Sequence, residues 1–521
     1  MTDRLLLRDV RIVDLGATTR VDERLPAEAS LVDVHIVDGV IDEIGPGLRA
    51  DGAEVHDAGG RWAMPGLWDA HVHMAQWESL ISRLDVSGTD GPDEVLARIR
   101  AHLDGPDAPV VGEVLQGFGF RLGQWSRLPS TAELDAVVGD RPTVLISGDC
   151  HAGWLSTAAY GLLGVDPRPG SIDEDEWFEI YFRLGELPMH PERVRAAAET
   201  AQRQAAAKGV VGIVDMEFHD GFIEWPWRVS EGLDRLRVRP ATYPAGLDRV
   251  LEAGHRTGDV LDPYGLVTMG PLKVITDGSL NTRTAWCCEP FAGTPDPLHP
   301  RGKRIVEPDE LAGLMTRAHE AGLECAIHAI GDAAVAEALD AFERSGARGA
   351  IEHAQLVRLE DLPRMARLGV RASVQPAHLL DDRDTSLLLW PDRMDRAFAF
   401  GSMRDAGVEL RLGSDAPVSP LDPWLAAAAA VHRSADEREP WSPREALTVT
   451  EALAASTDGI TTLEAGGPGD LVLLDEHPLR GSSHLRAHGV TKGEGSDEAA
   501  ARLRDTRPVA TFVAGLLTHG T

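Results

Sequence analysis

The stretch Gly66-Leu-Trp-Asp-Ala-His-Val-His73 decides the fold, because it is the first of eight short apolar runs. The other seven are Val210–Met216, Arg237–Tyr243, Leu272–Asp277, Glu324–Ala329, Ala350–His353, Arg371–Gln375 and Glu409–Ser414. Segments between them, such as 308–321 and 331–345, carry apolar residues at the spacing of one helix face. Eight strands alternating with helices predict an α/β fold of the (β/α)8 barrel type. An open doubly wound sheet is the alternative, and the sequence lacks the glycine-rich phosphate loop that would favour a dinucleotide-binding fold.

The end of the first run carries two histidines, His71 and His73, at positions i and i+2. Side chains alternate along a strand, so both imidazoles point to one side and can bind one metal ion. Such a pair also arises by chance in a chain with 19 histidines. The ends of three later runs offer His328, His353 and Asp415. Because barrel strands present their last residues to the active-site face, these five side chains together predict a metal centre there.

The fourth run contains a lysine, Lys273, between apolar neighbours. A charged amine is costly in a barrel core. A buried ion pair, a side chain that reaches the surface, a Schiff-base or general-base lysine, and a carbamate formed with carbon dioxide would each explain it. The residue types alone leave these alternatives open.

Both ends of the chain have the two-residue periodicity of β-strands, which predicts a small domain built from residues 1–62 and 463–521. Residues 63–462 form the predicted barrel domain. More than a hundred residues separate its first two strands, which is too long for a plain crossover, so residues 80–200 are predicted to be an insertion packed over one end of the barrel. The polar segment 481–506 is predicted to be a loop of the β-domain.

Composition excludes several classes of partner. The 521 residues include 51 Lys and Arg against 83 Asp and Glu, a formal charge of −32, which disfavours nucleic acid and anionic membranes. Four cysteines without C-x-x-C spacing indicate neither a disulfide framework nor a thiolate zinc site. No signal-peptide or membrane-spanning pattern is found, so a cytoplasmic protein with a small-molecule substrate is expected. The oligomeric state is left open, with a homo-oligomer among the options.

Seven motifs in this order resemble the amidohydrolase superfamily, specifically the amidohydrolase family 3 group of N-substituted formamide deformylase-like proteins. The motifs are Pro65-Gly-Leu-Trp-Asp-Ala-His-Val-His73, Gly209-Val-Val-Gly-Ile-Val-Asp-Met216, Lys273-Val-Ile-Thr-Asp-Gly-Ser-Leu280 with Arg283-Thr-Ala285, His328-Ala-Ile-Gly-Asp332, Ile351-Glu-His-Ala-Gln355, Ser373-Val-Gln-Pro376 and Ser414-Asp-Ala-Pro417. The resemblance implies a (β/α)8 barrel with a β-sandwich made from both chain ends. It also implies that the site residues bind one or two divalent ions, with Zn²⁺ expected.

The resemblance implies roles for particular residues. The metal ligands would be His71, His73, Lys273, His328, His353 and Asp415. Lys273 would be a carboxylated ligand that bridges two ions. His151, in a segment similar to the family's inserted segment, is expected to reach the substrate. Cys150 stands there in place of the family's usual glycine, and residues 173–180 also depart from the family pattern, so substrate preference does not transfer from relatives.

The mechanism that follows is hydrolysis of an amide-like carbon–nitrogen bond by a metal-activated water. Asp415 would carry a proton from the water to the leaving nitrogen, with assistance from His151. Asp69, two residues before His71, would support the ligands. The predicted substrate-binding residues are Trp154, Asp277, Arg283 and Gln375. The competing hypotheses are a one-metal deaminase with unmodified Lys273 and a barrel protein that binds metal without catalysis.

Overall fold

The computed structural model describes residues 4–16, 30–105, 108–109, 113–148, 152–181, 183–184, 191–293, 297–436, 438–480 and 495–520. The chain divides into two compact units, one formed by Met1–Met74 with Gln202–Thr521 and the other by Ala75–Ala201. Strands and helices are numbered here along the chain. No helix in the described ranges is both long enough and apolar enough to cross a membrane.

Eight parallel strands of the first unit correspond to the eight predicted runs. They are β6 (Leu67–Val72), β12 (Val210–Asp215), β13 (Arg237–Pro240), β14 (Leu272–Ile275), β15 (Cys325–Ala329), β16 (Gly349–His353), β17 (Arg371–Val374) and β18 (Leu410–Leu412). Three pair in the order β13-β12-β6 and five in the order β14-β15-β16-β17-β18. Parallel bridges join Thr242 to Leu272 and Val72 to Ala416. Each predicted run coincides with one of these strands to within a few residues, which confirms the α/β class.

The strands of both chain ends join in one eight-stranded sheet. Its members are β1 (Arg4–Ile12), β2 (Val32–Val37), β3 (Val40–Gly45), β4 (Glu54–Asp57), β5 (Trp62–Pro65), β19 (Leu471–Leu474), β20 (Ala510–Val513) and β21 (Leu516–His519). Strand β5 pairs with both β1 and β19, which connects the two chain ends. The described part of segment 481–506 includes a helix, Ser496–Asp505, so the prediction of a loop was wrong there.

Helices alternate with the parallel strands along the chain, and further helices follow the last of these strands. In chain order they are α1 (Met74–Ile81), α6 (Pro191–Ala207), α7 (Gly221–Ser230), α8 (Pro244–Ala253), α9 (Pro308–Glu320), α10 (Asp332–Ser345), α11 (Leu362–Leu368), α12 (His378–Leu389), α13 (Phe400–Asp405), α14 (Pro423–His432), α15 (Val449–Ala454) and α16 (Ser496–Asp505). Helix α9 shows why such segments are helical. Proline occupies its first turn, acidic Asp309 follows, and basic Arg317 lies in its last turn, which suits the helix dipole. Leu311 and Met315, four residues apart, are buried in the core.

The second unit, described by itself, has its own five-stranded sheet and helices. The strands are β7 (Leu84–Asp85), β8 (Leu115–Phe120), β9 (Thr143–Ser147), β10 (Ala152–Leu155) and β11 (Ile172–Asp173), in the order β11-β10-β9-β8-β7. The helices within it are α2 (Pro92–Leu103), α3 (Thr131–Val138), α4 (Thr157–Leu163) and α5 (Glu174–Tyr181). Ser130 and Glu133 cap α3 reciprocally. The fully buried Trp154 and Trp177 belong to its apolar cores, so this unit buries apolar surface of its own.

Candidate metal centre

Two histidines at the end of strand β6 lie close to the carboxylate of Asp415. The Nε2 atoms of His71 and His73 lie 3.5 and 3.4 Å from Oδ1 of Asp415, which follows β18. Two ligands held at about 2.0–2.1 Å from one tetrahedral ion lie about 3.4 Å apart. These three side chains therefore already have the spacing of ligands to a single ion, and their ligand atoms form one compact group.

The main chain fixes this arrangement. The Asp415 amide donates to the His71 carbonyl oxygen at 2.7 Å, and a side chain at Gly413 would lie 2.8 Å from the His71 amide nitrogen, so only glycine allows the close approach. Asp69 Oδ1 accepts hydrogen bonds from the amides of His71 (3.1 Å) and Ser414 (2.9 Å). Burial raises the pKa of Asp69 to about 7, although these hydrogen bonds act in the opposite direction. Asp69 thus ties the first strand to the last, next to the ligands.

A second group of potential ligands shares the same carboxylate. His353, His378 and Asp415 bring their ligand atoms together on the other side of Asp415, where His378 Nε2 lies 3.8 Å from Oδ2. The ring of His328 lies 4.5 Å from that of His353, and the ring of His71 lies 4.9 Å from it. All five predicted ligands other than Lys273 therefore converge at the C-terminal ends of their strands.

Two of the ligands have a backbone conformation that residues other than glycine rarely adopt. His353 has φ of 72° and Asp415 has φ of 56°. Such conformations cost about 1–3 kcal/mol each and are found at functional sites, where the surrounding structure enforces them. Their presence at two predicted ligands supports a functional role for this place in the fold.

Asp277 holds His328 rather than facing a ligand. It is fully buried, and its Oδ1 lies 3.0 Å from His328 Nδ1. Its Oδ2 accepts hydrogen bonds from the amides of Trp286 and Gly331, both at 2.9 Å. With its oxygens occupied in this way, Asp277 orients the imidazole, as carboxylates behind metal-binding histidines do. The prediction that Asp277 contacts substrate is corrected accordingly.

Lys273 lies on β14 and is 1% exposed. Its Nζ has no hydrogen-bond partner among the described residues. Burial lowers the pKa of Lys273, and the charges of Glu352 and Asp415 oppose this shift. Glu352, also buried, places Oε2 2.7 Å from His71 Nδ1. The lysine is thus neither at the surface nor in a close ion pair, which removes two of the explanations that the sequence left open.

The histidines of the centre are suited to bind a cation. Burial lowers the pKa of His71 and of His353 well below the usual value, and neighbouring positive groups add to this effect. The imidazoles are therefore neutral, which is the form that binds metal. The pKa of Asp415 is lowered, because the hydrogen bond with His73 and the charges of His378 and Lys273 outweigh burial, which acts in the opposite direction. Neutral imidazoles beside an ionised carboxylate form a donor set that fits a divalent ion such as zinc.

The remaining predicted residues have varied surroundings. Trp154 is fully buried in an apolar core of the second unit, and its Nε1 donates to the Ser130 carbonyl oxygen at 3.0 Å, so it packs there rather than binding a ligand. Gln375 is buried after β17, where its Nε2 donates to the Ser373 carbonyl oxygen at 3.3 Å and its Oε1 is unpaired among the described residues. Arg283 is half-buried with φ of 56°. His151 lies outside the described residues.

Sequence reasoning missed three residues near the ligands. His378 begins helix α12 instead of ending a strand, so strand-end reasoning does not reach it. Glu352 is the neighbour of His353 in the motif Ile351-Glu-His, and alternation along the strand gave no reason to single it out. Phe218 is 60% exposed, and its ring stacks on those of His73 at 5.7 Å and Tyr243 at 4.7 Å. The sequence signal for Phe218 was an aromatic residue two positions after the end of a predicted strand run.

Parallel strands that converge on histidines and a shared carboxylate define a metal-dependent hydrolase of the α/β class. A sequence profile of the amidohydrolase family matches residues 54–516, and the chain belongs to this family. It is therefore an amidohydrolase, an enzyme that hydrolyses carbon–nitrogen bonds.

Individual relatives are distant but cover most of the chain. The protein LONG AFTER FAR-RED 3 of Arabidopsis thaliana is 28% identical over 448 residues, which covers 79% of this chain and 76% of the relative. The N-substituted formamide deformylase of Arthrobacter pascens is 25% identical over 591 aligned positions, with 98% of both chains covered. The crystal structure of an uncharacterized metal-dependent hydrolase from Pyrococcus furiosus matches with a TM-score of 0.76 and 26% identity, covering 92% of this chain and all of the other.

Proposed function

We propose that this amidohydrolase cleaves a non-peptide amide bond, of the N-formyl or N-acyl type, in a small molecule. The observation that carries the proposal is the position of Asp415, whose Oδ1 lies near His71 and His73, beside the ring of His353, which lies 4.9 Å from that of His71 and 4.5 Å from that of His328. Two pairs of histidines beside one carboxylate are suited to a centre of two ions.

The proposed ligands of one ion are His71, His73 and Asp415, and those of the second are His328 and His353, with Lys273 between the two. Zinc bound there would supply a Lewis acid that polarises the carbonyl group and lowers the pKa of water to about 7. Asp415 accepts the proton of the attacking water and transfers it to the leaving nitrogen, so that an amine and a carboxylic acid are released. The role of His151 remains a prediction.

Lys273 is proposed to act as a carbamate. Its Nζ is buried and unpaired among the described residues, and a neutral amine there can add carbon dioxide to give a carbamate and release one proton. The reaction turns an unpaired amine into an anionic ligand able to bridge two ions. With ¹³C-labelled bicarbonate, the holoenzyme should show one carbamate carbon resonance that is absent from Lys273→Ala. An identical spectrum for the two proteins would contradict the carbamate and favour a one-metal enzyme with an unmodified lysine.

The surface beside the ligands favours a substrate with an apolar group. Phe218 is largely exposed while its ring lies against that of His73, so a ligand bound at His73 would also contact an aromatic face. Tyr243 also stacks on Phe218, at 4.7 Å between ring centroids, and its hydroxyl donates to the Met216 carbonyl oxygen at 2.8 Å. The relative from Arthrobacter pascens, named for N-substituted formamides, is consistent with such a substrate.

The test is turnover of an amide panel by metal-loaded protein, with metal content measured in parallel. The panel contains N-formyl and N-acetyl amines whose alkyl groups increase in size, together with N-acyl amino acids and amino-heterocycles as deaminase substrates. Asp415→Asn should lower kcat at least about 100-fold, which is the lower end of what proton transfer contributes. The exposed Asp395 provides the control, Asp395→Asn, which should leave kcat unchanged.

Several outcomes would contradict the proposed function. Full turnover by Asp415→Asn would exclude the proton-transfer role. Release of ammonia from the heterocycles alone would favour the deaminase. Two equivalents of metal with no hydrolysis of any compound would favour a metal-binding protein without catalysis.

We also propose how the parallel strands and the terminal sheet are completed in the fold. We infer that the strands form one (β/α)8 barrel, because the bridges Thr242–Leu272 and Val72–Ala416 connect the edges of the two parallel sheets. We also infer that the terminal sheet folds into a sandwich, since β1 shifts register between Leu7 and Val10 while it passes from one set of partners to the next. A crystal structure with bound metal would test both inferences.

A further inference from the structure

Helix α12 begins with His378, a residue that lies at the metal centre without belonging to a strand end. Its side chain is 9% exposed, so it is more than nine-tenths buried. Its Nε2 has no hydrogen-bond partner among the described residues and lies 3.8 Å from Asp415 Oδ2. A buried polar nitrogen without a partner is costly, which indicates that a group absent from the protein itself completes its bonding.

His378 lies farther from the Asp415 carboxylate than do the two histidines proposed to bind the first ion. His71 and His73 lie 3.5 and 3.4 Å from Asp415 Oδ1, close to the spacing of about 3.4 Å expected for two ligands of one tetrahedral zinc ion. The separation of 3.8 Å between His378 and Oδ2 exceeds that spacing. Asp415 therefore presents Oδ1 to the proposed ligand histidines and Oδ2 to His378.

The turn of α12 that carries His378 is held in place. Asp382, one turn later on the same helix, accepts hydrogen bonds from Asn281 Nδ2 at 3.0 Å and from Gln355 Nε2 at 3.3 Å. Asp382 also interacts electrostatically with His378. A donor fixed in this way needs little reorganisation during the reaction, which is the property that makes oxyanion-stabilising groups effective.

We propose that His378 is a catalytic residue that donates a hydrogen bond from Nε2 to the substrate carbonyl oxygen as this oxygen gains negative charge. The proposal rests on the proposed function for the identity of the reaction. Asp415 Oδ2 accepts the proton of the attacking water and transfers it to the leaving nitrogen. His378 stabilises the carbonyl oxygen that becomes the oxyanion. No bond to His378 forms or breaks.

The test compares His378→Ala with His378→Gln, whose side-chain amide N–H reaches nearly as far as Nε2. In metal-loaded His378→Ala, kcat on the amide panel should fall about 100- to 1,000-fold, which is the loss measured for single oxyanion donors. KM and metal per chain should be unchanged. His378→Gln should recover at least about tenfold of the loss in kcat, because it restores one donor. Leu388→Ala, on an exposed position of the same helix, is the matched control and should behave as the wild type.

A second readout needs no turnover. Methylphosphonate is a tetrahedral anion, and its dissociation constant is measured by calorimetry on the metal-loaded proteins. We expect methylphosphonate to bind His378→Ala at least about tenfold more weakly than the wild type, because the variant loses a hydrogen bond to a charged group. His378→Gln should recover affinity, because its amide restores a donor. Unchanged kcat with unchanged methylphosphonate binding would overturn the proposal, as would a wild type that does not bind methylphosphonate. Loss of one metal equivalent in His378→Ala would overturn it too, because His378 would then be a ligand. If the wild type hydrolyses no amide but binds methylphosphonate through His378, the proposed function fails while the role of His378 stands.

Discussion

Replacing Glu352 with glutamine should weaken metal binding and at the same time stabilise the metal-free protein. Glu352 is 2% exposed, and its Oε2 lies 2.7 Å from His71 Nδ1, so the carboxylate accepts a short hydrogen bond from a proposed metal ligand. Such a bond to a charged group contributes about 1.5–3 kcal/mol, which corresponds to a change of about 10- to 150-fold in an equilibrium constant. Carboxylates behind metal-binding histidines change affinity about 10- to 100-fold when they are removed. We therefore expect the dissociation constant for zinc to rise about 10- to 100-fold in Glu352→Gln.

The opposite effect on the metal-free protein follows from the pKa of Glu352. Burial raises this pKa, while the charge of Lys273 opposes the shift. A carboxyl group whose pKa is raised by folding stabilises the fold fully below its unfolded pKa, and this stabilisation is lost as the pH rises through the folded pKa. At pH 8 the stabilisation that Glu352 gives at low pH is therefore reduced or lost in the metal-free fold, and Glu352→Gln should melt at a higher temperature than the wild type.

The assay is competition for zinc with a chromogenic chelator, together with thermal melting of chelator-treated protein at pH 8. Glu360, exposed on the same chain segment, provides the control Glu360→Gln, which should match the wild type in both measurements. The reasoning is refuted if Glu352→Gln binds zinc within about twofold of the wild type while His71→Asn loses it, since a supporting carboxylate should contribute at least tenfold.

Three further changes test other parts of the site. Asp277→Asn removes the charge that orients His328, so we expect this variant to bind the second metal equivalent about tenfold more weakly than the wild type in a zinc titration. An affinity for the second equivalent equal to that of the wild type would contradict this role. Trp154→Phe removes the hydrogen bond to the Ser130 carbonyl oxygen, so the free energy of unfolding in urea should fall by about 1–2 kcal/mol. The values of kcat and KM should stay unchanged. A raised KM would instead support a substrate role for Trp154. The pKa of Asp69, raised to about 7 by burial, predicts that this residue contributes stability to the metal-free protein that is full below pH ~4 and is lost as the pH rises through about 7. Melting of Asp69→Asn should vary less over this range, and an equally steep dependence would count against the buried acid.

The strand ends were predictable because their signal is local. Apolar runs of strand length ending in His73, His328 and His353 need only the alternation of side chains and the rule that barrel sites lie at strand C-termini. The role of Asp277 was not predictable in this way. Its partners are the amides of Trp286 and Gly331, and only the folded chain brings these segments together. A carboxylate near a strand end looks the same in sequence whether it contacts a substrate or orients a histidine.

Trp154 failed as a substrate contact for a related reason. A tryptophan in a sequence indicates a large apolar surface, but it does not indicate whether a core or a ligand covers that surface. The sheet of the second unit buries Trp154 completely, with Trp125 edge-on at 6.4 Å. Phe218 shows the converse case, since it follows a strand end and is left exposed beside His73.

The ligand geometry of the centre is set mainly by the main chain, and this has a consequence for metal binding. His353 and Asp415 occupy left-handed backbone conformations, and the Asp415 amide is hydrogen-bonded to the carbonyl oxygen of His71. Hydrogen bonds of the main chain therefore hold the backbones of His71, His73 and Asp415 side by side, and their side-chain atoms lie 3.4–3.5 Å apart. A site held in this way needs little rearrangement when an ion enters, so most of the binding energy is available for affinity. The strain at His353 and Asp415, about 1–3 kcal/mol per residue, is the energetic cost of keeping the centre assembled before the ion arrives.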